Sequence, residues 1–148
     1  MIFPWRSGNR FELLLDGPQF FPRMLAAIAG AQRQVELELY LLTAGDCATQ
    51  LVERLCQAAL RGVQVRGVLD GFGSLGLPSV QRAQLLGAGV QLRLYNPLGW
   101  RRGLRNLYRD HRKLLLVDGE LAFVGGTGAT DDFWQPQDNS HAWHEVMV

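Results

Sequence analysis

A histidine, a lysine two residues on and an aspartate five further, His111, Lys113 and Asp118, open the stretch HRKLLLVDGELAFVGG, which closes on Gly125 and Gly126. Alternation along a strand places His111 and Lys113 on one face, roughly 7 Å apart along the backbone, so both can reach one phosphate. An imidazole attacks phosphorus when its attacking nitrogen is unprotonated and a carboxylate holds the other nitrogen. An ammonium nearby offsets charge that builds on the nonbridging oxygens. Glu145, near the C-terminal end of the sequence, is the candidate carboxylate. A lone histidine or lysine on a strand is more often structural, but a fixed triple of this kind arises by chance in about one window in 10⁴ at ordinary residue usage.

The glycines and the aspartate divide the remaining work. Asp118-Gly119 is a strong signal for a two-residue type I′ hairpin turn. A turn there sets Val117 opposite Glu120, and counting back sets His111 opposite Gly126 and Arg112 opposite Gly125. A glycine beside the histidine leaves room and a bare backbone N–H for a phosphoryl oxygen. Asp118, seven residues from His111, is held roughly 20 Å away by an extended strand. Its expected role is therefore structural, fixing the turn or bonding a neighbouring element.

The elements that must position these residues follow from the pattern upstream. Residues 11–15 read as a short strand, Asp16 as an N-cap, and residues 18–32 as an apolar helix. Residues 34–42 alternate as a strand with Glu36, Glu38 and Tyr40 on one face. Asp46 is positioned to cap a second helix, with Leu51, Leu55 and Ala59 as its buried stripe and Gly62 at its end. Residues 63–70 form a strand, a third helix runs from about Pro78 to Gly87 or Gly89, and residues 90–95 form a further strand. Strands alternating with helices predict an α/β fold with a parallel sheet covered by helices on both faces. After Asn96 comes an arginine- and aromatic-rich loop, then the hairpin, then a strand over residues 141–148.

Composition narrows the classes. A chain of 148 residues, 47% hydrophobic and 20% charged, is a one-domain length with enough apolar surface for a core, so residues 1–148 are read as one domain. No apolar run approaches the roughly 20 residues that span a bilayer, and residues 1–10 lack the pattern of a secretory signal. A cytoplasmic setting with only peripheral membrane contact is the expectation. Cys47 and Cys56, on one predicted helix, suit buried thiols better than a disulfide. The net charge of +1 is uninformative, but Arg101, Arg102, Arg105, Arg109, Arg112 and Lys113 crowd together and could form an anion site. Gly71, Gly73 and Gly76 spell GxGxxG, yet Pro78 intervenes before the helix, which favours a plain loop over a dinucleotide site. Strand parity places His141 and His144 on opposite faces, against a shared metal, so no metal or other cofactor is expected.

The stretch from His111 to Gly126 resembles the HxKxxxxD motif of the phospholipase D superfamily, with its Gly-Gly after six further residues. Within that superfamily the chain is similar to bacterial cardiolipin synthases through WRSGN (5–9), LLLDGPQFFP (13–22), VELELYL (35–41), VLDGFGS (68–74) and YNP (95–97). The resemblance implies a phospholipase D-like mixed β-sheet flanked by helices, carrying one of two HKD halves that share a cleft. It also implies His111 as a nucleophile that forms a phosphohistidine and Lys113 as phosphate ligand. Asp118 completes the motif, and Glu145 matches the acidic residue that supports the histidine. Gly125, Gly126, Thr127, Arg109 and Arg112 are the expected phosphate-binding residues. Many family motifs carry Asn where this chain has Gly128, leaving Thr127 or Thr130 as substitutes.

By this resemblance the reaction is metal-free transfer of a phosphatidyl group to an alcohol such as phosphatidylglycerol, at the cytoplasmic face of the membrane. The loop from Trp100 to Arg109 would meet anionic phospholipid head groups. Only one HKD motif is present, so the second half must come from a missing C-terminal region or from a homodimer partner, and the chain reads as truncated within its last strand. Two alternatives stand beside this one: a single-motif HKD nuclease acting as a homodimer, with nucleic acid the less favoured partner, and a truncated half that folds without turning over.

Overall fold

The computed structural model of the chain describes residue 4, residues 7–134 and residues 143–148. The central sheet runs in the order β4-β3-β2-β5-β6, with β2 Gln34–Leu39, β3 Gln64–Asp70, β4 Gln91–Tyr95, β5 Lys113–Val117 and β6 Leu121–Val124. Strands β2, β3 and β4 are parallel, whereas β5 lies antiparallel to β2 and β6 antiparallel to β5. The sheet is therefore mixed, as the resemblance implies. A separate short pair joins β1 (Leu14–Leu15) to β7 (Val146–Met147). The first strand thus stays out of the parallel series, because Asp16 turns the chain at a φ of 62° and its N–H bonds the carbonyl of Glu145.

The helices follow the predicted periodicity. Helix α1 (Gly17–Gly30) buries Phe20, Phe21, Met24 and Ile28 at helical spacing, with a proline in its first turn where a missing N–H costs nothing. Helix α2 (Asp46–Leu60) buries Leu51, Val52 and Leu55, and α3 (Ser79–Gly87) buries Leu85. Leu55 of α2 and Leu85 of α3 line one small cavity with Leu37, Val65 and Leu69. Both helices thus cover the same face of the sheet, and α1 packs beside α2. Burying each such leucine or phenylalanine contributes about 1.5–3 kcal/mol. On the opposite face Glu36 pairs with Arg66 at 2.5 Å and Glu38 with Arg112 at 3.1 Å, both half-exposed.

Neither aspartate expected to cap a helix does so. Asp16 makes no capping bond to α1; its carboxylate accepts from the Glu145 N–H at 3.0 Å and lies 3.0 Å from His144 Nδ1. Asp46 is the first residue of α2 rather than its cap, and the carboxylate of Asp131 receives the N–H groups of Asp46 and Cys47 at 3.0 and 2.8 Å. That placement answers the helix dipole from 85 residues away. Asp131 opens a short helix, α4 (Asp131–Trp134). The loop after β4 contains 3₁₀ turns over Trp100–Leu107, kinked at Gly103.

The turn forms as predicted, with positive φ at both Asp118 and Gly119 and the Glu120 N–H bonded to the Val117 carbonyl at 3.1 Å. The register beyond it is displaced by one residue: Val117 faces Leu121, and Leu114 faces Val124. Glu120 is the extra residue, as in a β-bulge, and its carboxylate pairs with Arg33 at 2.8 Å. As a result the Gly125 N–H meets the carbonyl of Lys113, where the simple count had set it opposite Arg112.

Candidate active site

The parallel strands β2, β3 and β4 all end at one edge of the sheet, and β5 begins there. Tyr40, Asp70, Asn96 and His111 gather at that edge from four different segments. Lys113 is the first residue of β5, paired with Leu39, and its side chain is buried on the helix-covered face. His111 lies two residues outside the strand and is exposed.

Lys113 and His111 touch. The Lys113 Nζ lies 2.7 Å from His111 Nδ1 and donates to the His111 carbonyl at 2.7 Å. The ring of Tyr40 packs on the imidazole with centroids 4.4 Å apart, and the ammonium sits 5.4 Å from the same ring. Burial lowers the Lys113 pKa below its ordinary value, opposed by the negative charges of Glu145 and Asp110. A charged lysine at low solvent exposure beside an open imidazole is a prepared seat for an anion.

The charge of Glu145 acts on Lys113 without a direct ion pair between them, and a Cβ added to Gly126 would strike the Glu145 carboxylate. The room expected at Gly126 for a phosphoryl oxygen is thus taken by Glu145. Gly125 has a different reason to be small: a Cβ there would stand 2.6 Å from the carbonyl oxygen of Val146, in the strand that continues the sheet past β6. The hydrogen-bond partner at His111 Nδ1 is Lys113, and Glu145 instead accepts from the N–H of Val146 at 2.9 Å.

The other sequence-nominated residues are placed elsewhere. Asp118 lies at the far end of β5, where its carboxylate receives the N–H groups of Gln32, Arg33 and Gln34 at 2.9, 2.7 and 2.9 Å. The N–H groups of Gln34, Gln32 and Arg33, helped by the Arg33 guanidinium, hold its pKa below the ordinary carboxylate value. Arg109 is spent on Asp70 at 3.3 Å and on the Asn96 carbonyl at 3.0 Å. Arg112 lies on the opposite face from Lys113 and pairs with Glu38 and Asp110. Thr127 is buried, its hydroxyl donating to the carbonyl of Gly128 at 2.9 Å, and the Thr130 hydroxyl faces Asp132 at 3.4 Å. Gly128 packs against Leu41, where a Cβ would stand 2.7 Å from that of Leu41. Each of these residues is thus engaged within the fold, away from the contact between His111 and Lys113.

Asp70 is the residue that sequence reasoning missed. It is fully buried at the end of β3 and accepts from the N–H groups of Phe72, Gly73 and Asp110 at 2.8, 3.0 and 2.9 Å, besides Arg109. Burial pushes its carboxyl up, but these donors outweigh that and hold it below the ordinary range. Asp70 thereby ties the segment entering His111 to the strand two places away in the sheet. The one available signal was an aspartate closing an apolar strand, VQVRGVLD.

The remaining motifs resolve as packing. Gly71, Gly73 and Gly76 lie against Pro97, Tyr40 and Thr43, each too close for a side chain, and α3 begins three residues later. Cys47 is buried and burial pushes its thiol up to about 12, while Cys56 is half-buried. His141 lies outside the described residues, so the strand expected over residues 141–148 is seen only as β7. Among the described residues no helix is long and apolar enough to cross a membrane.

Residues 24–145 match the family described as cardiolipin synthase, PLD-like domain. Cardiolipin synthase B of Salmonella typhi is 42% identical over 124 residues, covering 82% of this chain and 30% of that protein; the Escherichia coli K12 protein of the same name is 40% identical over the same shares. Cardiolipin synthase A of Pseudomonas entomophila is 30% identical over 98% of this chain, again 30% of its own length. The chain therefore spans less than a third of these relatives. Among solved structures, the phospholipase D family member Nuc from Salmonella typhimurium superposes with a TM-score of 0.65 at 19% identity, covering 92% of this chain and 78% of Nuc. NucT from Helicobacter pylori gives 0.62 at 17% identity, covering 93% and 84%. These two support the fold.

Proposed function

Because the chain belongs to the family of cardiolipin synthase-type, phospholipase D-like domains, we propose that it supplies one HKD half of a phosphatidyltransferase that works through a phosphohistidine. The observation that carries this reading is the buried Lys113 ammonium held 2.7 Å from the exposed imidazole of His111.

An ammonium has only protons to offer, so His111 Nδ1 accepts from Lys113 and the neutral ring carries its proton on Nε2. An entering phosphodiester draws Lys113 onto its nonbridging oxygen. The ring proton then moves to Nδ1, with Glu145 as the nearby carboxylate to receive it in a hydrogen bond, and the Nε2 lone pair is freed. A bond forms between Nε2 and phosphorus while the bond from phosphorus to the leaving alcohol oxygen breaks, that oxygen taking a proton from an acid of the second half. An acceptor alcohol, such as the glycerol of phosphatidylglycerol, then attacks phosphorus and gives its proton to the group of the second half that protonated the first alcohol, while the phosphorus–nitrogen bond breaks and its electron pair returns to Nε2. The second half comes either from polypeptide beyond these residues or from a second copy. The whole works peripherally at the cytoplasmic face of the membrane, on an anionic phospholipid and without a metal.

The test offers phosphatidylglycerol and DNA, each labelled at phosphate, side by side to the protein carrying this chain. Transfer of the lipid label to an alcohol, with an acid-labile adduct on His111 that His111→Gln abolishes, is the expected result. Cleavage of DNA alone would select a nuclease instead, and an active His111→Gln protein would remove the nucleophile assignment.

A further inference from the structure

The loop over residues 96–109 is pinned by its own polar side chains: the Asn96 amide donates to the carbonyls of Arg105 and Tyr108 at 2.6 and 2.8 Å, and Asn106 and Gly99 exchange hydrogen bonds of 3.1 and 3.0 Å. Arg102 closes the set by donating to Asn96 at 2.6 Å. Apolar side chains face outward: Trp100 is completely exposed, Leu104 and Leu107 are 82% and 74% exposed, and Tyr108 is 67% exposed. Phe72, half-exposed in the next loop along the same sheet edge, lies 6.0 Å from the Arg109 guanidinium and continues the surface.

A tryptophan and two leucines held outward on one pinned loop make an exposed apolar patch of the kind that marks an interaction surface. The charge pattern selects the medium. Residues 96–109 contain no acidic side chain, and Arg101, Arg102 and Arg105 stand exposed among the apolar groups. Cations at head-group depth, aromatic rings at the interface and aliphatic tips below them match an anionic lipid surface. A nucleic acid would use the arginines but leave Leu104 and Leu107 without an apolar neighbour.

We propose that this loop is a membrane-docking element that seats Trp100, Leu104 and Leu107 in the interface of an anionic bilayer. The loop leads through Arg109 and Asp110, both fastened to buried Asp70, to His111, so docking fixes the height of the imidazole above the lipid phosphates. The inference deepens the lipid reading above and rests on it for the identity of the phosphate. Binding is measured without turnover, so either can fail alone.

The protein carrying this chain is sedimented with vesicles of phosphatidylcholine and with vesicles that also contain phosphatidylglycerol. Tighter binding to the anionic vesicles is expected. Arg101→Gln with Arg105→Gln should weaken it about 25-fold, roughly fivefold per arginine. Trp100→Ser with Leu104→Ser should weaken it by roughly tenfold or more on both vesicle types. All four positions are exposed, so unchanged melting profiles confirm intact folds. Leu60→Ser, at an equally exposed leucine closing α2 away from this loop, should bind vesicles as the parent does, which separates the loop from exposed apolar surface in general. Parent-like binding by the loop variants overturns the proposal, as does equal affinity for neutral and anionic vesicles. So does a loss confined to self-association or to binding of a DNA oligonucleotide.

Discussion

Lys113 donates to both the side-chain Nδ1 and the main-chain carbonyl of His111, each at 2.7 Å, so one ammonium fixes the ring and the backbone that carries it. This pairing assigns the proton of the neutral ring to Nε2. Nitrogen-detected NMR of the ring should report that tautomer in the free protein and its loss on adding vanadate or a phosphodiester. The opposite tautomer in the free protein would contradict the Lys113 contact.

The same contact sets an alkaline limit. Burial lowers the Lys113 pKa from its ordinary value of 10.5, so its charge, and the phosphate affinity proposed to depend on it, is lost as pH rises through that lowered value. A plot of kcat/KM against pH should fall at a pH below 10.5. Lys113→Arg should remove that limb, and Lys113→Met should lower kcat about 10²–10³-fold at every pH.

Gly125 and Gly126 should separate on substitution. Alanine at 126 meets the end of a flexible glutamate, so stability should change by less than about 1 kcal/mol while turnover drops as Glu145 is displaced. Alanine at 125 meets main chain in the neighbouring strand, and a loss of about 1–3 kcal/mol is expected. Urea melts alongside transfer assays check both. Equal stability losses at the two positions would refute the distinction.

Asp70→Asn should destabilise the fold by about 2–4 kcal/mol, because it weakens three N–H contacts and leaves the nearby Arg109 guanidinium without its carboxylate. It should also reduce turnover through His111 with little effect on KM, since Asp70 contacts no phosphate. Chemical denaturation and initial rates read the two effects separately.

Asp118 answers to acid. Its folded pKa is depressed, so the stability it contributes is present above the ordinary value of 3.8 and is lost as pH falls through the lower folded value. Asn tolerates the φ of 56° at this position, so Asp118→Asn removes the charge without straining the turn. The variant should melt lower than the parent at neutral pH, and the gap should close as pH falls below 3.8. A constant gap at all pH values would argue against the charged contact.

Much of this was legible in the sequence, and the misses share a cause. The helices and inner strands follow from periodicity, and the Asp118-Gly119 turn from the two residue types that accept positive φ. The one-residue displacement beyond that turn depends on Glu120, whose bond to Arg33 is made across the sheet and leaves no local mark. Asp16 and Asp46 both look like caps in sequence. One is drawn off by residues 144 and 145 and the other is displaced by Asp131, and neither competitor lies within 80 residues. Arg109 and Arg112 were grouped with the phosphate ligands on charge alone, while the carboxylates that claim them, Asp70 and Glu38, come from other strands.

Glu145 reaches its place through Asp16, which grips its N–H from 129 residues earlier and whose own N–H takes its carbonyl. Lys113 and His111, by contrast, are neighbours in the chain and can meet as soon as β5 joins the sheet. The centre therefore joins one local contact to one distant one: Lys113 and His111 are two residues apart, whereas the Glu145 carboxylate is brought in by a contact spanning 129 residues. Loss of the β1–β7 pairing alone would leave Lys113 beside His111 and release the carboxylate, so such a protein should still bind anions but not react with them.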